Sequence, residues 1–109
     1  MSLFGKRMKE ARVRAGLSQE KLGVLAGIDE MSSSARMNQY ERGKHVPDFS
    51  LVERVAQVLD VPECYFYCKE DELAQILIRL HRIPAHERQG VMGAVERLLS
   101  GTGNVQKAP

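Results

Sequence analysis

Apolar residues recur at helical spacing from the start of the chain. The first helix has an apolar face whose members stand at i, i+4, i+7 and i+11, namely Phe4, Met8, Ala11 and Ala15. Charged residues, Arg7 among them, occupy the rest of its surface, and Gly16 stands where a left-handed residue would end it. Ser18 then offers an N-cap to a second helix over about 19–25, which Gly27 closes. Three residues of this second helix are expected to point inward, namely Leu22, Leu25 and Ala26.

The third helix has a defined end and several alternative starts. Residues 29–31 precede three serines at 32–34, any of which can cap a helix, so the pattern fixes the start only to within a turn. Met37 and Tyr40, three apart, mark the core side of a helix over about 33–40. At about 100° per residue, one group of side chains points the opposite way, namely Ala35, Asn38, Gln39 and Arg42, with Ser34 and Arg36 on the flanks. A short apolar edge with an amide-rich outer face suits a groove.

The second half of the chain predicts four more helical segments. Asp48 or Ser50 can cap a fourth helix with a strong apolar stripe, and residues 60–62 end it. Residues 62–66 indicate a short fifth helix with proline in its first turn. The last two helices are amphipathic, with Leu73, Ile76, Leu77 and Leu80 on one and Val91, Met92, Val95, Leu98 and Leu99 on the other. They carry more apolar surface than a helical hairpin buries on itself, which indicates packing against the preceding domain, a second copy of the chain, or another protein.

Length and composition place the chain among single globular domains. Its 109 residues are 43% hydrophobic and 28% charged, which are ordinary globular values. No apolar run approaches the about 20 residues that span a bilayer. Charged residues interrupt the first 14 positions, so the apolar core of a secretory signal is missing. We therefore expect a cytoplasmic protein without a membrane segment.

Charge is spread unevenly along the chain. Residues 1–46 hold nine Lys/Arg against five Asp/Glu, whereas residues 47–109 hold seven against nine. An excess of positive charge at the front is what a polyanion-binding face needs, although a solvated helix surface explains the same count.

Few residues of the chain are candidates for catalysis or metal binding. Cys64 and Cys68, four apart, do not make a disulfide framework; reduced thiols beside a core helix are expected, and a redox switch or a metal site with His81 or His86 is the alternative. No ligand set has zinc spacing. The histidines are scattered, the serines have capping roles, and neither a phosphate-binding glycine loop nor a paired acid site is present. We expect neither an enzyme nor a cofactor.

Several separated motifs occur in a familiar order over about residues 3–66. They are Arg12, Ala15-Gly16-Leu17-Ser18-Gln19-Glu20, Leu22, Ala26-Gly27-Ile28, Tyr40-Glu41-Arg42-Gly43, Pro47 and Val55-Ala56-Gln57-Val58-Leu59-Asp60-Val61-Pro62. Together they resemble the helix-turn-helix domain of the lambda repressor-like (Xre/Cro) regulators. The resemblance implies a five-helix domain that binds operator DNA, usually as a homodimer on a palindrome. The expected fold is therefore all-α, with this DNA-binding domain over residues 1–68, a two-helix extension over 69–100 for dimerisation or partner binding, and a flexible tail over 101–109.

The resemblance also assigns roles to residues. Counted back from Gly43, the base-reading positions of the family fall on Ser34, Ala35 and Gln39, which agrees with the outward face derived above. The amide of Gln39 can bond both N6 and N7 of adenine, Ser34 can bond many edges, and Ala35 can touch a thymine methyl group. Gln19 matches the phosphate-binding position at the start of the second helix. The other expected backbone contacts are Ser33, Asn38, Arg42 and Lys44, while Arg36 can serve either role.

Two further features qualify the resemblance. Arg12 and Glu41 match a pair that in this family joins the first helix to the end of the third, so their expected role is structural. Between Ile28 and the third helix the chain has about four residues more than the tight turn of the family, and Asp29 and Glu30 are among them. Because phosphate repels carboxylates, the extra segment should bend away from DNA or lengthen the third helix at its start.

The sequence thus predicts a transcriptional regulator that binds double-stranded DNA sequence-specifically, and is associated with the nucleoid in this way. A repressor that acts as a homodimer on a palindromic operator is the first interpretation. The alternative is an antitoxin-like or complexed regulator whose C-terminal helices bind a protein partner.

Overall fold

The structure, a computed structural model, describes residues 2–101, and in that range it contains six α-helices, one 3₁₀ helix and no strand. The helices are α1 (Leu3–Arg14), α2 (Gln19–Leu25), α3 (Glu30–Glu41), α4 (Phe49–Leu59), the 3₁₀ helix (Glu63–Tyr67), α5 (Asp71–His81) and α6 (Ala85–Ser100). The predicted all-α fold of five helical segments followed by two is confirmed. The predicted tail, from residue 102 onward, lies outside the described residues.

Side-chain caps set the starts of the first four helices. Ser18 accepts a hydrogen bond from the amide of Lys21 at 3.0 Å, as its predicted capping role requires. Of the two candidates for α4, Asp48 is the cap, since its carboxylate accepts from the amide of Leu51 at 2.8 Å. α3 ends at Gly43, whose φ of 76° only glycine adopts without strain.

One apolar core joins α1 to α5. Four residues expected to face inward, one on each of α1 to α4, are fully buried in it, namely Met8, Leu22, Met37 and Val55. α2 and α3 cross closely at Gly23, where a Cβ atom would overlap the hydroxyl oxygen of Ser33. The absence of a side chain at Gly23 therefore sets how near α3 lies to α2.

Three expectations for the first two helices are wrong. Ala15 is the exposed C-cap of α1 and not part of its apolar face. Leu25 lies at the last position of α2 and is 50% exposed. Arg7, expected on the solvated side of α1, is 0% exposed because the segment after the 3₁₀ helix folds over it.

Arg7 joins α1 to the start of α5. Its guanidinium donates to the backbone carbonyls of Cys68 (2.9 Å) and Lys69 (3.3 Å) and lies 3.0 Å from the Asp71 carboxylate. Burial by itself lowers the pKa of Arg7, but the hydrogen bond to Asp71 and the charge of Glu10 hold that pKa above its ordinary value. The cation is therefore fully compensated inside the fold.

α5 and α6 differ in how they are held. Ala74 and Ile78 of α5 are buried in the common core, whereas α6 has no fully buried residue. Val91 of α6 faces α5 across a groove of about 360 Å³ that Ile76, Leu80 and Ile83 also line. In residues 2–101, none of the helices is both long enough and apolar enough to cross a membrane.

Candidate nucleic-acid interface

The extra segment before the third helix lengthens that helix at its start. Asp29 is the N-cap of α3, and its carboxylate accepts from the amide of Met31 at 3.0 Å. α3 therefore begins about one turn earlier than the predicted start near residue 33. Of the two alternatives for Asp29 and Glu30, bending away or extending the helix, the structure has the second.

α3 presents to solvent the face that the periodicity predicted. Met37 and Tyr40 are buried, while Ala35, Gln39 and Arg42 are exposed on the other side. Ser34 is also exposed, and Asn38 is half-buried beside them. These five side chains lie on the exposed half of one helix, so a single groove can receive them together.

Two of the expected contact residues, Ser33 and Arg36, make hydrogen bonds within α3 or between α3 and α2. Ser33 is 0% exposed and donates its hydroxyl to the carbonyl of Glu20 at 2.8 Å, so the structure does not bring its side chain to the interface. Arg36 is exposed, and its guanidinium donates to the Tyr40 hydroxyl at 3.0 Å. This hydrogen bond uses one of the five N–H donors of the Arg36 guanidinium.

A buried ion pair fixes α3 against α1. The Arg12 guanidinium donates to both oxygens of Glu41, at 2.6 and 3.3 Å, and to the carbonyl of Leu17 at 2.8 Å. Both side chains are mostly buried, at 12% and 3% exposure. Loss of one partner would leave an uncompensated buried charge, at a cost of about 3–5 kcal/mol. The structure thus brings Arg12 and Glu41 together, and their ion pair fixes the orientation of α3 relative to α1.

Gln19 extends this network to α2. Its side-chain amide donates to the Glu41 carboxylate at 3.0 Å and to the Asn38 carbonyl oxygen at 3.3 Å. Gln19 and Asn38, which the resemblance assigns to phosphate, therefore lie in contact at the junction of α2 and α3. One hydrogen-bonded set, Arg12, Glu41, Gln19 and Asn38, holds three helices in register.

The charges around α3 favour an anion on the exposed face. Arg42 and the exposed Lys44 lie at its C-terminal end, where the carboxylate of Glu41 is neutralised by Arg12. Asp29 lies at the opposite end of α3, where its carboxylate caps the helix. Phosphate would meet cations near residues 42–44 without a competing exposed carboxylate from α3.

The structure adds one residue that the sequence pattern did not single out. Met31, in the first turn of α3, is 93% exposed. A helix that starts at any of the three serines leaves Met31 in the segment before it. Asp29 is also a favoured capping residue, and a helix counted from it would have included Met31.

The described part of the chain contains no cluster of side chains suited to bind a metal ion. Residues 2–101 contain no group of three His, Cys, Asp or Glu side chains that could hold a metal ion. Cys64 is exposed, Cys68 is half-buried, and neither thiol is in a disulfide.

Comparison with known proteins identifies the class of fold. Residues 3–64 match the model of a helix-turn-helix domain. Two curated relatives, each described as an uncharacterized HTH-type transcriptional regulator, from Sinorhizobium medicae (strain WSM419) and Rhizobium meliloti (strain 1021), are 33% identical over 63 residues. The match covers 58% of this chain and only 42% of those relatives.

A solved structure resembles nearly the whole chain. The crystal structure of the transcriptional regulator BswR is 46% identical, with a TM-score of 0.81, and the match covers 91% of this chain and 98% of that one. This protein belongs to the helix-turn-helix family of DNA-binding transcriptional regulators. Because the match to BswR covers so much of the chain, it includes helices beyond the domain that ends near residue 64.

Proposed function

We propose that this protein binds a palindromic DNA operator as a homodimer and represses transcription there. The observation that carries the proposal is the exposed face of α3. This face carries the proposed base-reading side chains, and contacts on the opposite side fix the helix in position. Gln39 and Ala35 lie outward, while Arg12 and Glu41 lock the helix from behind. A pre-positioned helix orders few groups on binding, which favours sequence reading.

The proposed contacts divide into base reading and backbone positioning. Gln39 would bond the N6 and N7 edge of an adenine, Ala35 would touch a thymine methyl group, and Ser34 would bond an adjacent base edge. Arg42 and Lys44 would bind phosphate through their charge. Asn38 would contact the DNA backbone through its side-chain nitrogen, while Gln19, whose side-chain amide already donates to Glu41 and Asn38, would offer its backbone N–H at the start of α2.

Homodimerisation is supported by the C-terminal helices. α6 has no fully buried residue, and its Met92 and Leu98 are 45% and 74% exposed. Removing this surface from water would favour association, and a two-fold dimer would place two copies of α3 for two half-sites. Repression would then require only that the dimer occupy the promoter, because a bound dimer excludes other proteins from that DNA.

The test is selection of bound sites from random duplex DNA, together with a mass measurement in solution. We expect selected sites with a dyad, half-site centres about 10 base pairs or a multiple apart, and a dimer mass. Selected sites without a dyad would contradict the dimer-on-palindrome model, and failure to enrich any sequence would contradict specific binding itself. Repression is tested by placing a selected site over a reporter promoter, where activation would overturn that part of the proposal.

A second candidate follows from the apolar groove between α5 and α6. A complexed regulator would use this groove, lined by Ile76, Leu80, Ile83 and Val91, for a protein partner. A monomer in solution whose C-terminal helices bind apolar dyes would favour this candidate, whereas a homodimer that protects these helices from hydrogen exchange would count against it.

A further inference from the structure

The first turn of α3 exposes a large apolar side chain where the helix would enter DNA. Met31 is 93% exposed, and no large apolar residue in the described range 2–101 is more so. It is held in helical conformation by the Asp29 cap, which accepts directly from its amide. The exposure of Met31 is thus a feature of an ordered helix.

Met31 extends the exposed face of α3 by one turn. At about 100° per residue, Met31 stands about 40° from Ala35, on the same side as Gln39 and Arg42. The neighbouring Glu30 stands about 140° from Ala35 by the same count, and it lines a depression with Ser18 and Lys21 of the α2 segment. The added turn therefore brings an apolar group onto the side of the exposed face that carries Ala35 and Arg42, whereas the exposed Glu30 stands about 40° from Ser34, toward the α2 side.

The chemistry of that position selects its ligand. A recognition helix contacts base edges with its N-terminal residues, so an added N-terminal turn leads into the groove. The apolar group that the major groove offers there is the C5-methyl group of thymine, and the thioether of Met adapts its shape to such a contact. A methionine neither donates to nor strongly accepts from the other base edges.

We propose that Met31 is a specificity-determining residue that packs on a thymine methyl group, beyond the base pairs read by Ala35 and Gln39. The inference rests on the proposed operator binding and deepens it. It assigns to the extra turn of α3 one additional recognised position per half-site.

The test replaces thymine by deoxyuridine, one position at a time, in a selected operator. Each replacement removes one methyl group and keeps the base pair. With the wild-type chain, two thymines per half-site should be sensitive, the one that Ala35 touches and, beyond it, the one that Met31 touches; replacement of this second thymine should lower affinity about fourfold, the worth of one buried methyl or methylene group. With Met31→Ala, that same replacement should change affinity by less than about 1.5-fold, since the contact is already gone.

Matched variants separate the contact from general effects. Met31→Leu keeps an apolar side chain and should retain the sensitivity to deoxyuridine. Val13→Ala, an equally mild truncation of an exposed residue on α1, should behave as wild type at every position. Because Met31 is exposed and alanine favours helix, Met31→Ala should fold normally, which circular dichroism checks.

Two outcomes would overturn the inference. One is a wild-type chain that tolerates deoxyuridine at every thymine; the other is a Met31→Ala chain that keeps the full sensitivity at every thymine at which the wild type is sensitive, the one beyond the Ala35 contact included. Both outcomes presuppose an operator, so they differ from failure of the proposed function, in which no sequence would be selected at all.

Discussion

Gln39 and Arg42 lie three positions apart on the exposed side of α3, yet their chemistry suits different partners. The amide of Gln39 matches the paired donor and acceptor of an adenine edge in the major groove. The guanidinium of Arg42, at the C-cap of α3, carries a charge that any phosphate attracts. Truncation of Gln39 and truncation of Arg42 should therefore change DNA binding in distinguishable ways.

Gln39→Ala should relax base preference at one position of each half-site. Removal of a bidentate contact costs about 1–3 kcal/mol in discrimination, so the preferred base there should lose most of its advantage. Binding to the selected operator and to its single-base variants, measured at one salt concentration, checks this. An equal loss of affinity on all variants would show that Gln39 does not read a base.

Arg42→Ala is the matched contrast and should weaken binding to every sequence alike. Each lost phosphate contact also releases one fewer counterion, so the slope of log K against log salt should become shallower by about 0.9 per subunit, or about 1.8 for the bound dimer. Titrations at several salt concentrations with operator and unrelated DNA measure both effects. If the slope stays as in the wild type, Arg42 does not contact phosphate.

The sequence predicted these residues because their placement depends on local periodicity. Met37 and Tyr40 define the buried side of α3, and the outward side follows from helix geometry alone. Ser33 is predicted as a DNA-backbone contact, and the sequence does not predict its burial because that depends on the close crossing at Gly23, a tertiary contact. The start of α3 was missed because Asp29 and three serines are all acceptable caps, and only the folded turn selects one.

At the scale of elements, α5 is held to α1 by polar contacts as well as by apolar burial. Tyr65 of the 3₁₀ helix donates to Glu10 of α1 at 2.8 Å, and burial, together with that carboxylate, raises the pKa of the Tyr65 phenol above its ordinary value. Arg7 anchors the segment between the 3₁₀ helix and α5. Helical periodicity predicted α5 but not the burial of Arg7, since its partners, Cys68, Lys69 and Asp71, lie about sixty residues further along the chain.

Asp71→Asn should lower the melting temperature at neutral pH. Hydrogen bonds from Arg7 and then Lys6 hold the pKa of Asp71 below its ordinary value, so the folded state favours the carboxylate. The contribution is therefore complete above the unfolded pKa of about 3.9 and is lost as pH falls through the lower folded pKa. The difference in melting temperature between wild type and variant should accordingly disappear in acid.

Glu72→Gln is the control for this change. Glu72 is the exposed neighbour of Asp71 in the first turn of α5, so both carboxylates share the favourable helix dipole. Melting curves of the three proteins across the acid range separate the dipole from the Arg7 contact. A wild-type and an Asp71→Asn protein that differ by the same amount at every pH would contradict the role of the Asp71 charge.

At the scale of the whole molecule, α6 offers a way for two copies to meet. Arg88 and Glu96 are both exposed, are equally far along α6 from Met92, and stand about 40° to either side of it. In an antiparallel pair of α6 helices centred on Met92, Arg88 would face Glu96 of the partner subunit, twice over. In a parallel pair each would face its own like charge, so the charge pattern favours the antiparallel, two-fold arrangement.

Reversal of these charges tests that arrangement. Arg88→Glu alone or Glu96→Arg alone should put like charges opposite each other and raise the dimer Kd by up to about thirtyfold, because two exposed pairs are worth up to about 1 kcal/mol each. The double variant should restore the dimer, and a mixture of the two single variants should form a heterodimer.

Sedimentation equilibrium measures each case. Glu87→Arg is the control, because residue 87 stands about 140° from Met92 on the helix, and this variant should leave the dimer intact. Single variants that dimerise as tightly as wild type would show that α6 pairs otherwise, and a double variant as weak as the singles would exclude the antiparallel register.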